Sequence, residues 1–556
     1  MYRLVWATLL CGGWASAQPV VSAVLNNYSY VPSPLPHHGI AQGSIFVIFG
    51  TGLANGSTGL QSVPLRTTLE GVSAAVTVGG VTRAVILYYV TPTQVAGILP
   101  SSTPAGAGTI TLTNNGRTSA AAPIRVVQSA FGTLTLDGTG SGPAAVFDAA
   151  NQLLSPDNAT HPGDVIVLYG TGAGPSAGDE TATQTQTNLT SVPILVEIGG
   201  KPANVLYHGR TVFPGLDQIN VVVPAGVAAG CGVSVAVASG AYVSNFTTIP
   251  VAPSGARCPA LEGGDDALTI TPDEITRWVG AGRFTTGSFG LTRQSTYTVA
   301  DGAGGATTRA VLRSDIASAS YSRVSGNLAR LFNSNFFVPT LNSCIVTTGL
   351  TNPFPDLVYQ GLDAGTPLSI ACPAGSRSVA RSTNSVGVIS YAAELGNASA
   401  GNYLDAGRYT MSGPGGVDIG NFSGSITVAP ELEWTNRAAL EAITRSAGVT
   451  VTWTGGEPST FVTIQGQSFV TQGTQVTGSS FQCWARNTDR QFTIPATVLL
   501  TMPASQTLTP APGVTLLQRG SLALATVGRG TRVQASGLDY GTLGSQFGIA
   551  QSTQWR

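Results

Sequence analysis

Charged side chains are scarce in this sequence. Only 10% of its 556 residues are Asp, Glu, Lys or Arg, against about 25% in an ordinary globular domain. Lys201 is the only lysine, and the formal net charge is −1. A chain with so little charge of either sign has no long-range field that would attract nucleic acid or an anionic membrane. We therefore expect no nucleic-acid partner.

Histidine is also rare, with four in the whole chain. None lies in a metalloprotease or serine-hydrolase motif, and no cysteine pair has zinc-finger spacing. The sequence therefore predicts no catalytic residue, no metal site and no cofactor. One alternative stays open, because the paired carboxylates of a glycosidase can come from distant strands. It is an exported carbohydrate-active enzyme with its site in residues 267–556.

Long apolar segments are absent after the N-terminus. Residues 1–17 have the pattern of a signal peptide, with Arg3, a short apolar stretch from Leu4 to Gly13, and Ala15-Ser16-Ala17 as the cleavage motif. No later apolar run reaches the roughly 18 residues that a spanning helix needs. We expect an exported protein, extracellular or at the cell surface, without a transmembrane segment after cleavage.

Five cysteines remain after that cleavage. Exported proteins usually pair their cysteines, and an odd number leaves at least one unpaired. Cys231 and Cys258 flank the end of a repeated unit, so we predict a disulfide between them. Cys344 with Cys372 is the second predicted pair, which leaves Cys483 free.

The chain does contain a long internal repeat. The segment Gly43–Gly52 (GSIFVIFGTG) returns as Gly163–Gly172 (GDVIVLYGTG), and Val76–Gly80 (VTVGG) returns as Val196–Gly200 (VEIGG). Self-similarity at a domain-sized period indicates duplicated domains. Each copy is a series of short β-branched segments separated by Gly, Pro and Asn-Gly turns, which is typical of a β-sandwich.

These motifs, with the strand Gln218–Pro224 and the closing segment Val243–Pro250, resemble the IPT/TIG-like extracellular repeats of uncharacterised exported proteins from soil bacteria. The resemblance covers residues 20–252. It implies an immunoglobulin-like fold and no catalytic residue. The first copy departs from the pattern, since Thr93-Gln94-Val95-Ala96-Gly97 is a weaker version of the Gln-Ile-Asn strand.

The whole chain is predicted to be all-β, with tandem immunoglobulin-like sandwiches followed by further β-rich domains. A linker rich in Gly, Pro and acidic residues follows the repeats, and a second boundary is placed near Pro430. The predicted units are a first repeat at 18–128, a second at 129–252, the linker at 253–266, and β-rich domains at 267–429 and 430–556.

Ligand recognition is expected beyond residue 266. All the tryptophans of the mature chain lie there, and seven arginines fall between positions 277 and 330. Trp and Arg are over-represented in binding hot spots. The candidate residues are Trp278, Arg277, Arg283 and Trp555, with Trp278 and Trp555 expected to be exposed. A polysaccharide or a cell-surface protein would be the partner; a solvated arginine face is the simpler alternative.

Two further interpretations concern glycines and assembly. Gly170-Thr171-Gly172-Ala173-Gly174 follows a strand, as a phosphate-binding loop does, but no helix is predicted after it. A structural turn that needs positive φ is therefore favoured. The chain could also be a subunit of a larger surface assembly, which an exposed edge strand or apolar patch would support.

Overall fold

The computed structural model describes residues 18–259, 268, 270–301, 307–333, 339–349, 356–385, 387–511 and 514–556. The predicted signal peptide and most of the acidic linker lie outside these ranges. Nearly all of the regular structure is β-strand, so the predicted all-β fold class with tandem immunoglobulin-like sandwiches is confirmed.

The first repeat is a sandwich of two sheets, ordered β1-β3-β8-β7 and β2-β11-β9-β5-β4 with β6 and β10 at the side. Alternating strands such as Val72–Val78 bury every second side chain, which is how one face of a strand enters a core. The strands are β1 Val20–Asn26, β2 Ile40–Ala41, β3 Ile45–Thr51, β4 Thr68–Leu69, β5 Val72–Val78, β6 Val81–Ala84, β7 Ile86–Val90, β8 Gln94–Ile98, β9 Gly106–Asn114, β10 Arg117–Thr118 and β11 Ala122–Val127.

The second repeat has the same plan, but one long strand joins its two layers. Residues 201–203 pair with one sheet and residues 204–210 with the other, where the first repeat uses two separate strands, β6 and β7. The strands are β12 Gly132–Thr133, β13 Gly142–Pro143, β14 Val146–Asp148, β15 Val165–Thr171, β16 Thr187–Asn188, β17 Leu195–Ile198, β18 Lys201–Arg210, β19 Asp217–Val222, β20 Gly230–Ser239, β21 Tyr242–Val243 and β22 Thr247–Val251.

The described residues of the C-terminal region contain the remaining strands and three short α-helices. Its elements are α1 Pro272–Ala281, β23 Arg283–Asp301, β24 Thr307–Ser325, α2 Leu328–Asn333, β25 Cys344–Thr348, β26 Val358–Gly361, β27 Leu368–Cys372, β28 Gly375–Thr383, β29 Ile389–Asn397, β30 Gly407–Gly413, β31 Phe422–Val428, β32 Leu432–Trp434, β33 Ala442–Ile443, β34 Val449–Gly455, β35 Phe461–Gln472, β36 Gln475–Arg486, β37 Gln491–Ile494, α3 Ala496–Leu500, β38 Gln506–Ala511, β39 Val514–Gln518, β40 Gly520–Val527, β41 Thr531–Ala535 and β42 Leu538–Trp555.

Helix α1 begins at a group of residues that favour a helix start. Thr271 caps it, Pro272 occupies the first turn, and the side chains of Thr271 and Glu274 form a reciprocal capping box. Gly282 ends the helix in the left-handed conformation. It is the longest helix among the described residues, and none in these ranges has both the length and the apolar character needed to cross a membrane.

One continuous sheet organises the C-terminal region. It runs β25-β36-β35-β40-β42-β23-β24-β29-β28-β27-β30-β31, and β23 lies parallel to β42 over twelve residue pairs. Strands from both sides of Pro430 therefore share this sheet. Two apolar cores lie against it, one around Trp453, Leu524 and Phe481 and one around Phe289, Tyr391 and Leu543.

A buried histidine pair lies in the first repeat. The ring of His37 is 2% exposed, and both of its nitrogens are without a hydrogen-bond partner among the described residues. The neighbouring His38 lies 2.9 Å from the carbonyl oxygen of Val31 through Nδ1. Burial, with a smaller contribution from His38, lowers the pKa of His37 from 6.5 to about 3. His37 is therefore neutral in the folded protein.

We expect His37 to make the protein less stable in acid. In the unfolded chain His37 takes up a proton as the pH falls below about 6.5, whereas in the folded protein it does so only near pH 3. Its contribution to stability is therefore complete above pH 6.5. It is lost as the pH falls, by about 1.4 kcal/mol per pH unit.

His37→Phe should flatten the slope of the free energy of unfolding against pH by about that amount between pH 3.5 and 6, measured by urea denaturation. The exposed His161, which contacts Asp164, supplies the control His161→Gln, which should leave this slope nearly unchanged. An unaltered slope in His37→Phe would contradict the assignment.

Candidate functional site

The two tryptophans predicted to be exposed are buried. Trp278 is 2% exposed and Trp555 1%, so the prediction that they are exposed is wrong. The ring of Trp278 stacks on Phe284 at 5.0 Å between centroids, inside a small core beneath α1. The indole Nε1 of Trp555 donates to the carbonyl of Gln467 at 3.2 Å. A large apolar ring at a strand end gains more from these cores than from water.

Three of the seven arginines in the predicted cluster, Arg293, Arg309 and Arg313, have acidic partners. The buried Arg293 bonds Asp315 through Nε and Nη2 at 2.6 and 2.7 Å, and its Nη1 donates to Glu431 at 2.8 Å. Arg309 pairs with Glu441 at 2.9 Å. Because Glu431 and Glu441 come from other segments, the composition of residues 277–330 alone overestimates the positive charge. Arg277 and Arg283 are exposed, and the guanidinium of Arg277 lies 5.9 Å from the ring centroid of the buried Trp278.

The cysteine predictions are half right. Cys231 and Cys258 form the predicted disulfide. Cys344, however, is bonded to Cys483 and not to Cys372, and Cys372 is the free cysteine. Cys344 and Cys483 lie directly opposite each other on β25 and β36, with their Cα atoms 4.0 Å apart. Cys372 is on β27, far along the same sheet.

The second Gly-Thr-Gly loop binds the carboxylate of a residue in the same chain, Asp217. The backbone amides of Gly172 and Ala173 donate to Asp217 Oδ2 at 2.7 and 2.8 Å. Asp217 is completely buried and forms an ion pair with Arg210, which is 1% exposed. Gly172 has φ +104°, and a Cβ there would lie 2.4 Å from the carbonyl oxygen of Ala130. The loop is therefore a structural turn, as favoured, and its amides are not available to phosphate.

Asp217 also explains why the two repeats differ. The position that matches it in the first repeat is Thr93, whose backbone carbonyl accepts from the amide of Gly50 instead. Burial is the largest influence on the pKa of Asp217 and raises it, while Arg210 and the two loop amides act in the opposite direction. Arg210 donates further to the carbonyl of Gly174 at 2.6 Å, so the pair ties the loop to β18 and β19.

This loop forms part of a hydrogen-bonded junction between the repeats. The Thr171 hydroxyl accepts from the amide of Ile45 at 2.8 Å, and Asn26 Nδ2 donates to the carbonyl of Thr171 at 3.3 Å. Glu180 accepts from the amide and hydroxyl of Ser101 at 2.8 and 2.7 Å. With main-chain and side-chain partners on both sides, the junction holds the two sandwiches in one arrangement.

The second repeat is joined to the C-terminal region in turn. Ala236, Val243 and Phe246 of the repeat belong to the same buried cluster as Trp453 and Leu524. Glu197 accepts a hydrogen bond from the Thr497 hydroxyl of α3, and burial raises the pKa of this carboxyl. The predicted linker therefore does not separate freely moving parts.

The side of the C-terminal sheet that faces away from both cores is a broad surface, which we call the outer face. It consists of the side chains that alternate with core residues such as Ile464 and Leu524, both 0% exposed. One row of residues crosses it, each paired with the next across adjacent strands. The row is Gln482, Gln465, Ala523, Ala550, Thr296 and Leu312.

The next row across the outer face is Trp484, Thr463, Ala525, Gly548, Gln294 and Ser314. Neither row contains a charged residue, and in the second row Thr463 and Ala525 are buried, at 3% and 7% exposed. Gln465 and Gln546 are exposed, and Trp484 is half-buried, with its ring 5.8 Å from that of Phe461. Sequence reasoning missed this surface because its strands lie up to about 250 residues apart, although the polar–apolar alternation of each strand was visible.

Comparison with known proteins finds only solved structures of low overall similarity. No protein-family model matches the chain, and no curated protein does. The full extracellular region of plexin A4 matches with 12% identity and a TM-score of 0.17, over 43% of this chain and 18% of that one. Domains 5–6 of the S-layer protein SbsC match with 16% identity and a TM-score of 0.14, over 42% of this chain and 98% of that one.

A third solved structure is SGBP-B from a complex xyloglucan utilization locus in Bacteroides uniformis. It has 9% identity and a TM-score of 0.14, with 95% of this chain and 96% of that one covered. The chain spans 18% and 31% of two plexin A4 chains that it matches.

Proposed function

We infer that this chain is an exported protein that binds at, or forms part of, a cell surface. In this proposal residues 18–128 and 129–252 act as a stem for residues 267–556, whose partner is a polysaccharide or a cell-surface protein. The observation that carries it is the junction built on Arg210 and Asp217. A buried ion pair and inter-repeat hydrogen bonds stabilise one orientation, which suits a stem and has no role in a flexible linker.

Two disulfides support export, because such bonds persist in oxidising compartments. The rival enzyme hypothesis needs two carboxylates that converge on an open cleft. The partly buried carboxylates of this region have other partners. Asp315 binds Arg293 and the amides of Tyr403 and Leu404, and Asp363 binds Arg381. Binding therefore fits the described residues better than hydrolysis.

Assembly with other subunits is a second candidate function. Beyond the end of β29, the outer edge of β24 from Thr308 to Leu312 pairs with no other described strand. All five residues are exposed, with Val311 at 57% and Leu312 at 66%. An open edge of this kind can add a strand from another chain.

The test uses the whole secreted protein. It should sediment with cell-wall and outer-surface fractions, release no reducing sugar from polysaccharides, and give a small-angle scattering curve that a single rigid arrangement fits. Sedimentation equilibrium distinguishes assembly from surface binding, because assembly requires oligomers whose fraction increases with protein concentration. Failure to bind every surface fraction, or catalytic release of sugar, would overturn the proposal.

A further inference from the structure

The outer face of the C-terminal sheet has the chemistry of a site for an uncharged, hydroxyl-rich polymer. Its polar side chains are amides and hydroxyls, which offer donors and acceptors together. Gln465 Nε2 donates to Gln482 Oε1 at 3.2 Å, so the two amides are held side by side with further donor and acceptor capacity. An ionic ligand would need an opposite charge, which neither row contains. The adjoining row, to which Gln546 belongs, has charged residues only at its two ends, Arg486 and Glu394, and they are of opposite sign.

The relief of the outer face also suits a chain laid along it. The central strands β40 and β42 carry Ala523, Ala550 and Gly548 on this face, so the side chains in the middle of the outer face are short or absent. Longer side chains flank this middle part. Gln465 lies on one side, and on the other side lies Gln294, whose amide extends over Gly548. A Cβ at Gly548 would lie 2.5 Å from Gln294 Oε1, so the missing side chain is what allows the Gln294 amide to lie against the sheet.

An aromatic platform adjoins the amides. Trp484 is the direct cross-strand neighbour of Thr463, and its ring is tilted by 31° against Phe461. The rows cross six strands, which at about 4.8 Å between neighbours makes a surface of about 24 Å. The apolar face of a ring at one end of a polar trough can stack on the C–H face of a sugar.

We propose that the outer face binds a neutral polysaccharide, with Gln465, Gln482, Gln294 and Gln546 as hydrogen-bonding groups and Trp484 as the stacking platform. This inference rests on the proposed surface-binding function and gives it a ligand class and a location. The uncharged side chains of the outer face disfavour anionic polymers. The charged groups of such a polymer would lose water on binding, and amides form no ion pair that offsets this cost.

The experiment uses the whole protein and four polysaccharides: microcrystalline cellulose, chitin and starch as neutral probes, and polygalacturonate as the anionic one. At least one neutral probe should retain the protein equally at low and high salt, since no charges are involved. The double variant Gln465→Glu/Gln546→Glu keeps the shape of both exposed side chains and should weaken that binding about tenfold. Gln475→Glu, at the exposed turn between β35 and β36, should leave it unchanged.

Ala550→Arg provides a second test, because a long side chain would fill the low centre of the outer face. Its thermal midpoint is compared with that of the parent to show that it folds. The inference is overturned if no neutral probe retains the parent, or if both variants bind as the parent does. If the parent and the variants bind surface fractions equally, the inference about the outer face is overturned but the proposed function stands. If the parent itself does not bind surface fractions, the proposed function is overturned.

Discussion

Replacing Asp217 by Asn is expected to lower the free energy of unfolding by about 3–5 kcal/mol, because it leaves the guanidinium of Arg210 buried without a counter-charge. Arg210 is 1% exposed and Asp217 0%, so neither can turn to water without opening the junction. The carboxylate also accepts hydrogen bonds from the amides of Gly172 and Ala173. The Asn side chain has one oxygen in place of two and no charge, so it replaces these hydrogen bonds only in part. Urea denaturation of the whole protein measures the change.

An exposed ion pair supplies the control for this prediction. Asp164 pairs with His161 at 3.0 Å and its side chain is 51% exposed, so Asp164→Asn should cost less than about 1 kcal/mol. The double variant Arg210→Met/Asp217→Leu removes both charges and should recover part of the loss. Equal effects of Asp217→Asn and Asp164→Asn would show that the buried pair does not stabilise the junction.

Removing the Cys344–Cys483 disulfide should have an effect of similar size. The bond joins residues 139 apart in sequence, and closing a loop of that length in the unfolded chain corresponds to about 5 kcal/mol in the loop-entropy model. We expect Cys344→Ser/Cys483→Ser to lower the free energy of unfolding by about 3–5 kcal/mol. Both sulfurs lie in the core around Trp453, so buried hydroxyls add to the loss.

Cys372→Ser is the matched control, since Cys372 is the free cysteine, and its effect on stability should be small. Peptide mapping under non-reducing conditions should recover Cys344 linked to Cys483, with Cys372 alone labelled by a thiol reagent. A Cys344–Cys372 peptide, or a double variant as stable as Cys372→Ser, would contradict the assignment.

The candidate residues show where sequence reasoning is weak. Trp278 lies on a short helix and Trp555 at the C-terminus, and both have large flat rings, but these positions in the sequence do not show which residues pack over the rings. The relevant partners, Phe284 for Trp278 and Phe481 for Trp555, become neighbours only after folding. The arginine excess was misjudged for the same reason, because Glu431 and Glu441 reach it from more than 100 residues away.

Local features were predictable because their causes are local. The duplicated sandwiches follow from strand alternation and turn residues, the start of α1 from Thr271, Pro272 and Glu274, and the Cys231–Cys258 bond from a short separation along the chain. The structural role of the Gly-Thr-Gly turn followed from the missing helix after it. Each of these depends on backbone conformation or on neighbours within a few tens of residues.

Tertiary structure alone decided the remaining features. Pairing of β23 with β42 brings together segments about 250 residues apart and creates the outer face. A separate pairing, of β25 with β36, places Cys344 opposite Cys483. Asp217 was visible as a residue, but its role depends on burial beside Arg210. Alternation within a strand determines which side chains share a face; only the order and register of the strands determine which faces become one surface.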